Sequence, residues 1–295
     1  MGNKKSTPPP PKEFDQEWRK TDWSKQKRNA MVDELKNLNL DDPEVGLLRC
    51  LLIGPVGAGK SSFIDSVNNI FQGRITQSAL VASISQKSFT KKYKTHYIKN
   101  GANRLPIAFN DIMGLENEDE CGIHPDDIIN ALKGHLKEGY MFNPSAAITT
   151  EDLKYNSNPS LSDQVHCLVN VMPADKIQLM SEKVLTKMKM IRGIASELGI
   201  PQVVVMTMTD KACPLVNNDL KKIYTSMEIK KKMQMCSNEL GVPVNCILPV
   251  KNYHEEGGLD NDVDILILNA FSQIVHHSND YIWDCRQNPR PSRPS

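Results

Sequence analysis

Residues 47–62 read LLRCLLIGPVGAGKSS: an apolar run from Leu47 that ends in glycines at Gly54 and gives way at Lys60 to an amphipathic stretch. Gly54, Gly59, Lys60 and Ser61 fill the fixed places of G-x-x-x-x-G-K-[ST]. Chance would place this pattern in roughly one chain in a hundred of this length. Here its context is also right. A strand that runs into the glycines, with a helix directly after them, turns the backbone N–H groups of Gly57 to Ser62 onto a phosphate at the helix N-terminus, with Ala58 among them. Gly57 and Gly59 allow φ values and a close approach that side chains would block. Lys60 is placed to neutralise β and γ phosphates, and the Ser61 hydroxyl to complete a Mg²⁺ shell otherwise made of phosphate oxygens and water.

The chain carrying this loop has 295 residues, with 36 Lys plus Arg against 35 Asp plus Glu and 39% apolar residues. A net charge of +1 gives no field for coating nucleic acid, so no sequence-specific nucleic-acid partner is expected. No apolar run is long enough to span a bilayer and no signal-peptide core follows Met1, which predicts a cytoplasmic protein. The seven cysteines are scattered and contain no C-x-x-C pair, so they read as reduced thiols rather than a metal or redox site.

Four segments follow from composition. Residues 1–13 hold Pro8 to Pro11 and read as a disordered tail; residues 14–44 are a polar lead-in with Trp18, Trp23, Met31 and Leu35 at loosely helical spacing; residues 45–282 form the main domain; residues 283–295 are a Pro/Arg-rich tail. In the main domain short apolar runs alternate with longer amphipathic ones, which predicts an α/β fold with helices on a mostly parallel sheet. Strands are expected at 47–54, 91–99, 106–112, 166–172, 202–208 and 244–250. The second is Lys-rich, an edge, and Asn100-Gly101 turns it antiparallel to the third. Helices are expected at 60–71, 126–136, 177–198, 218–240 and 263–275. The repeated ELGIP at 197–201 and ELGVP at 239–243 stops two of them with an αL glycine and a proline. His276-His277 reads as a helix end.

Two further elements choose among nucleotide chemistries. Asp111-Ile112-Met113-Gly114 closes the third strand as D-x-x-G, where Asp111 would hold Mg²⁺ through a water and the Gly114 N–H would sense a γ-phosphate. Thr207-Met208-Thr209-Asp210 closes the fifth, where guanine-specific proteins carry [NT]-K-x-D. The Asp210 carboxylate would accept from the guanine ring N–H and amine, and adenine would leave it unpaired. Met208 stands where the usual Lys covers the base. Beyond the sixth strand, Lys251 in Val250-Lys251-Asn252 marks the expected backbone contact to the guanine carbonyl. The γ-phosphate and metal contact before strand two falls to Thr90, with Thr76 as runner-up. Together these predict a P-loop NTPase of Ras-like GTPase type that takes GTP or GDP with Mg²⁺.

These residues resemble the interferon-induced protein 44 and 44-like family, on IGPVGAGKSSF, D-x-MGL at Asp111, D-I-x-x-x-L-K-G from Asp127 to Gly134, ELGIP, and VKNY with a following DILIL. The resemblance covers Leu48 to about Ile282 and implies a GTP-binding fold and a place in antiviral innate responses. Longer members of that family carry a TLDc domain ahead of the loop, whereas about 45 residues precede it here, so functions of that module are not expected of this chain. TMTD where members often have TKVD implies altered nucleotide affinity. Leu115 follows D-x-x-G where Ras-like proteins use a water-orienting Gln, so any hydrolysis is expected to be slow and no catalytic residue is assigned. A nucleotide-stabilised interaction module without turnover is the alternative, and an ATP-dependent P-loop enzyme is a third.

Outside this machinery, MGNKKS fits M-G-x-x-x-[ST] and makes Gly2 a myristoyl acceptor, enough for weak, reversible contact with the cytosolic face of a membrane. Lys221, Lys222, Lys230, Lys231 and Lys232 read as a solvated helix face. A homo-oligomer is compatible with the sequence, and it names no host or viral protein partner.

Overall fold

The fold is given by a computed structural model that describes residues 12–40, 42–76, 92–112, 114–116 and 123–288. Six strands form one sheet: β1 (Leu48–Ile53), β2 (Lys94–Asn100), β3 (Asn103–Asp111), β4 (Cys167–Pro173), β5 (Gln202–Thr207) and β6 (Ile247–Pro249), in the order β2-β3-β1-β4-β5-β6. All neighbours are parallel except β2, which pairs antiparallel with β3 through a turn at Gly101. This is the mostly parallel P-loop GTPase sheet expected from the sequence. β1, β4 and β5 are buried almost throughout and β3 is mostly buried from Leu105 on, as their apolar-rich sequences require, and β2 is the half-exposed edge.

Helix α1 (Lys25–Lys36) packs on α8 (Asn261–Gln287), and α8 packs with α2 (Lys60–Gln72) over β1. A second series joins α3 (Pro125–Leu132), α4 (Glu182–Glu197) and α7 (Met227–Leu240), with the short helices α5 (Thr209–Ala212) and α6 (Pro214–Asn218) leading into α7. Gly199 and Gly241 adopt φ 61° and 66° after α4 and α7, the left-handed caps that ELGIP and ELGVP imply.

Side-chain caps moved several helix boundaries. Residues 177–179 are a separate 3-10 turn, because Ser181 accepts from the Val184 N–H and starts α4 afresh. Ser226 does the same for α7 by accepting from the Ile229 N–H, which divides the single helix expected over 218–240. Helix α3 stops at Leu132 because Gly134 turns left-handed at φ 84°. Helix α8 runs twelve residues past Val275, since Ser278, Tyr281 and Ile282 continue its buried face. His276-His277 is therefore mid-helix, and residues 283–287, expected in the C-terminal tail, are helical.

The lead-in differs most from expectation. Trp18 and Trp23 precede the helix, which begins at the Ser24 cap. Residues 12–23 instead form an extended strap. The Met227 N–H donates to the Lys12 carbonyl, the Phe14 N–H to Thr225 O and the Trp18 N–H to Tyr224 O, so Lys12 and Glu13 are anchored rather than part of a free tail. Arg19 donates to the carbonyls of Val244 and Ile247 at 3.0 Å each, covering the open β6 edge. Trp18 meets the Tyr224 ring edge-on at 5.2 Å between centroids. Two lysines of the cluster hold this strap, and a third is buried elsewhere. Lys222 bonds Glu13 at 3.1 Å, Lys230 lies 4.8 Å from the Phe14 ring centre and 5.7 Å from that of Trp18, and Lys232 is buried against Glu228 rather than solvated.

At the opposite end of the sheet from the glycine loop, the fully buried His166 accepts from the Arg49 N–H through Nδ1 at 2.9 Å and faces the Leu161 carbonyl through Nε2 at 2.8 Å. The proton therefore sits on Nε2 of a neutral ring. Burial lowers its pKa from 6.5 to about 4. The unfolded chain takes up a proton on this residue between pH 6.5 and 4 that the folded chain refuses, so stability falls with pH through that window. Urea unfolding at pH 4.5 against pH 7 is expected to show about 2 to 3 kcal/mol of loss from this group, and a correspondingly smaller loss in His166→Gln.

Candidate functional site

The C-terminal ends of β1, β3 and β5 and the segment after β6 bring most of the sequence-predicted residues to one end of the sheet. Gly54 leaves β1 so close to β4 that an added Cβ would lie 2.2 Å from the Val171 carbonyl oxygen. Gly57 and Gly59 turn left-handed at φ 74° and 89° before α2 starts at Lys60. The Ala58 N–H closes the loop on Pro55 O at 3.2 Å, and the carbonyls of Gly54, Pro55, Ala58 and Gly59 all have donors. Gly54 O accepts from the Leu115 N–H at 2.9 Å and from Lys60 Nζ at 3.2 Å, which also reaches Pro55 O at 3.3 Å. Ala58 O accepts from Thr207 Oγ1 at 2.6 Å, and Gly59 O from Asn252 Nδ2 at 3.1 Å. Ser62 O accepts from Ser66 Oγ at 2.7 Å.

The metal-side residues meet directly. Ser61 Oγ donates to Asp111 Oδ2 at 3.1 Å, while Asp111 Oδ1 is buried and has no hydrogen-bond partner among the described residues. Burial pushes the Asp111 pKa up, opposed by Lys60, His96, Ser61 and Lys94. Burial pushes Lys60 down, opposed by Asp111. Among the described residues no group of three or more His, Cys, Asp or Glu could hold a metal ion. A hydroxyl and one carboxylate with a spare oxygen instead suit a cation that brings phosphate oxygens and water of its own, which is how Mg²⁺ binds such loops. Gly114 packs on the loop so tightly that a Cβ would lie 2.7 Å from Val56 Cα.

On the base side, Asp210 is 9% exposed and its carboxylate has no hydrogen-bond partner among the described residues. Met208 is half-buried and left-handed at φ 56°, the one such non-glycine residue among those described. Thr207 and Lys251 lie at this end but are committed to protein partners. The Thr207 hydroxyl holds Ala58 O, and Lys251 Nζ pairs with Glu256 Oε1 at 2.7 Å. Both act on the loops rather than offering their side chains to a base. Thr76 is tied through N–H and Oγ1 to Asn69 Oδ1 at 2.9 Å each. Thr90 and Gly2 lie outside the described residues. Sequence reading did not assign Asn252 or Lys187, which donates to the Glu116 carbonyl at 3.1 Å just after the D-x-x-G segment. Asn252 sits in the VKNY stretch, but no local pattern announces that it reaches 193 residues back to Gly59.

No protein-family model matches the chain. It is 33% identical over 263 residues to human interferon-induced protein 44-like, covering 88% of this chain and 58% of that protein. It is 34% identical over 259 residues to human interferon-induced protein 44, covering 87% and 58%. To the mouse interferon-induced protein 44 it is 34% identical over 242 residues, covering 81% and 57%. The chain thus spans less than two thirds of the relatives it matches. Among solved structures, a probable GTP-binding protein engB aligns with TM-score 0.42 and 10% identity over 79% of this chain and 98% of its own. The elongation factor SelB from Methanococcus maripaludis, in complex with the GTP analogue GppNHp, aligns with TM-score 0.36 and 13% identity over 84% and 36%.

Thr207→Val keeps the shape of the side chain and removes the one donor to Ala58 O. Leaving that buried carbonyl unpaired is expected to cost about 1 to 3 kcal/mol in urea unfolding, with amide exchange in residues 56–60 rising more than in the core strands.

Proposed function

The chain belongs to the interferon-induced protein 44 and 44-like family, and on that premise we propose that it is a guanine-nucleotide-binding protein of the interferon-induced antiviral response, acting in the cytoplasm as a slow switch. One observation carries the reading. A glycine cradle with its carbonyls bonded from behind, a Ser61–Asp111 pair and the unpaired Asp210 carboxylate all stand at the same end of one mostly parallel sheet. The amides of Gly57 to Ser62 would hold the phosphates, with Lys60 exchanging two loop carbonyls for phosphate oxygens. Ser61 and Asp111 would hold Mg²⁺, which screens the phosphate charge when bound. Asp210 would accept from the guanine N–H groups and leave adenine poorly matched.

Turnover is where this site is weakest. Leu115 is buried, 5% exposed, with its N–H bonded to Gly54 O. Its side chain has no polar atom to orient a water. That favours either hydrolysis on the order of 10⁻⁴ to 10⁻³ per second or a nucleotide-stabilised interaction module with no turnover of its own.

Calorimetric titration with GDP, a nonhydrolysable GTP analogue and its ATP counterpart, each with Mg²⁺, is the test. Guanine nucleotides are expected to bind at least tenfold more tightly than the adenine analogue, with Lys60→Ala weakening binding by roughly tenfold or more and Asp210→Ala removing the preference for guanine. Equal binding of both bases by the unaltered protein would overturn the guanine assignment, and no binding of either would overturn the switch.

A further inference from the structure

A buried polar relay connects the lead-in helix to the segment that lies against the glycine loop. Arg28 on α1 donates from Nε at 2.9 Å and from Nη2 at 2.7 Å to Asp264 Oδ2 on α8. Asp264 is 1% exposed, so its charge has almost no access to water. Its second oxygen, Oδ1, accepts from the Tyr253 hydroxyl at 2.6 Å. That hydroxyl in turn accepts from the Asp260 N–H at 2.8 Å, at the cap of α8. Tyr253 is itself buried, and its backbone N–H donates to Ser66 Oγ on α2 at 3.0 Å. Ser66 is bonded to Ser62 O, one turn into the nucleotide helix, and the neighbouring Asn252 bonds Gly59 O. Thr209, one residue before Asp210, donates to Val250 O at 3.0 Å.

Residues 250–253 are thus clasped on one side by the glycine loop, α2 and the Asp210 segment, and on the other by α8 and α1. The second clasp depends on a carboxylate that is tolerable in the interior only while Arg28 and Tyr253 satisfy it. Burial raises the Asp264 pKa, and the Tyr253 and Arg28 bonds oppose that rise. Arg28 is the cationic partner of this carboxylate and comes from a helix ahead of the sheet. Removing it favours protonation of Asp264 or escape of the carboxylate toward water, and either change alters the shortest of the contacts on the Tyr253 hydroxyl, whose other partners are the Asp260 carbonyl and N–H.

We propose that the lead-in helix α1 positions the base-reading segment 250–253 through the Arg28–Asp264–Tyr253 relay, which makes these three positioning residues for guanine recognition. The proposal rests on the guanine-nucleotide reading above and extends it to residues that touch neither phosphate nor base. The relay acts on the segment beside Asp210, which also carries Asn252 on Gly59 O, while the carbonyls of Gly54 and Ala58 keep donors outside it in Leu115, Lys60 and Thr207. The base contribution to binding should therefore fall further than the phosphate contribution.

The test compares GDP, ADP and inorganic tripolyphosphate, each with Mg²⁺, on the full chain, its Tyr253→Phe variant and its Arg28→Ala variant. Tyr253→Phe keeps the ring volume and loses only the hydroxyl, so it stands in wherever Arg28→Ala folds poorly. Both variants are expected to bind GDP roughly three- to thirtyfold more weakly while tripolyphosphate binding falls by a clearly smaller factor, with Arg28→Lys recovering part of the loss. GDP and tripolyphosphate binding lost in equal proportion would mean a merely structural role and overturn the relay. GDP binding unchanged in Tyr253→Phe would overturn it as well, with the guanine reading intact. An unaltered chain that binds GDP no better than ADP would instead remove the guanine reading, and the relay with it.

Discussion

A loop that turns its amides toward a ligand must turn its carbonyls into the protein, and buried carbonyls need donors. In this chain that requirement organises the whole end of the sheet. The donors to Gly54, Ala58 and Gly59 are Leu115 after β3, Thr207 at the end of β5 and Asn252 after β6. Three segments far apart in sequence are thereby fixed relative to one loop, and each carries or adjoins a candidate ligand contact: Gly114, Asp210 and Lys251. The cradle is less a property of its glycines than of the strand ends that satisfy it from behind. The order β2-β3-β1-β4-β5-β6 matters functionally because it puts β1 in the middle, with β3 on one side and β4 and β5 on the other.

The edges of that sheet are closed by different means. At β6 the strap of residues 12–23 lies beside the last strand, with Arg19 on the Ile247 carbonyl of β6 and the Val244 carbonyl just before it and its guanidinium 5.4 and 5.5 Å from the Trp18 and Tyr224 ring centres. At β2, Glu138 accepts from the Thr95 N–H, and Tyr93 exchanges backbone bonds with Gly139 and Tyr140. Both are protections against strand addition by another chain. The β6 closure also places α1 along α8, so the segment ahead of the sheet contributes buried side chains, Met31, Val32 and Leu35, to the same core.

How much of this could be read from the sequence follows from the range of the interactions involved. The glycine loop, the strand that precedes it and the antiparallel β2 are written in consecutive residues, because strand burial and turn chemistry are local. Asp111 and Asp210 could be placed because each ends an apolar run. The helix breaks at Ser181 and Ser226 went unseen, since a serine within an amphipathic stretch becomes a cap only when its hydroxyl meets the right N–H. Lys222 and Lys230 read locally as parts of a solvated face because their partners, Glu13, Phe14 and Trp18, lie more than two hundred residues away. Arg28, Asp264 and Tyr253 were hidden for the same reason: spacing cannot reveal a relay whose members sit on three separate elements.

Leu115 and Met208 bear on the two halves of the site in opposite ways. Met208 departs from the usual Lys but would cover a bound base with an apolar stem, and its left-handed backbone starts the short helix that carries Asp210. A change there would alter how firmly a base is covered while leaving in place the carboxylate proposed to distinguish guanine from adenine. Leu115 departs in a way that packing cannot replace, because orienting a water takes a polar atom and this side chain is buried with none. With the cradle supported and no water-orienting side chain at position 115, the lifetime of a bound nucleoside triphosphate would be set by its release, or by a residue supplied from elsewhere, before it was set by chemistry at Leu115. Such a site would report nucleotide occupancy for long periods, and its output would depend on which segments the bound ligand holds in place.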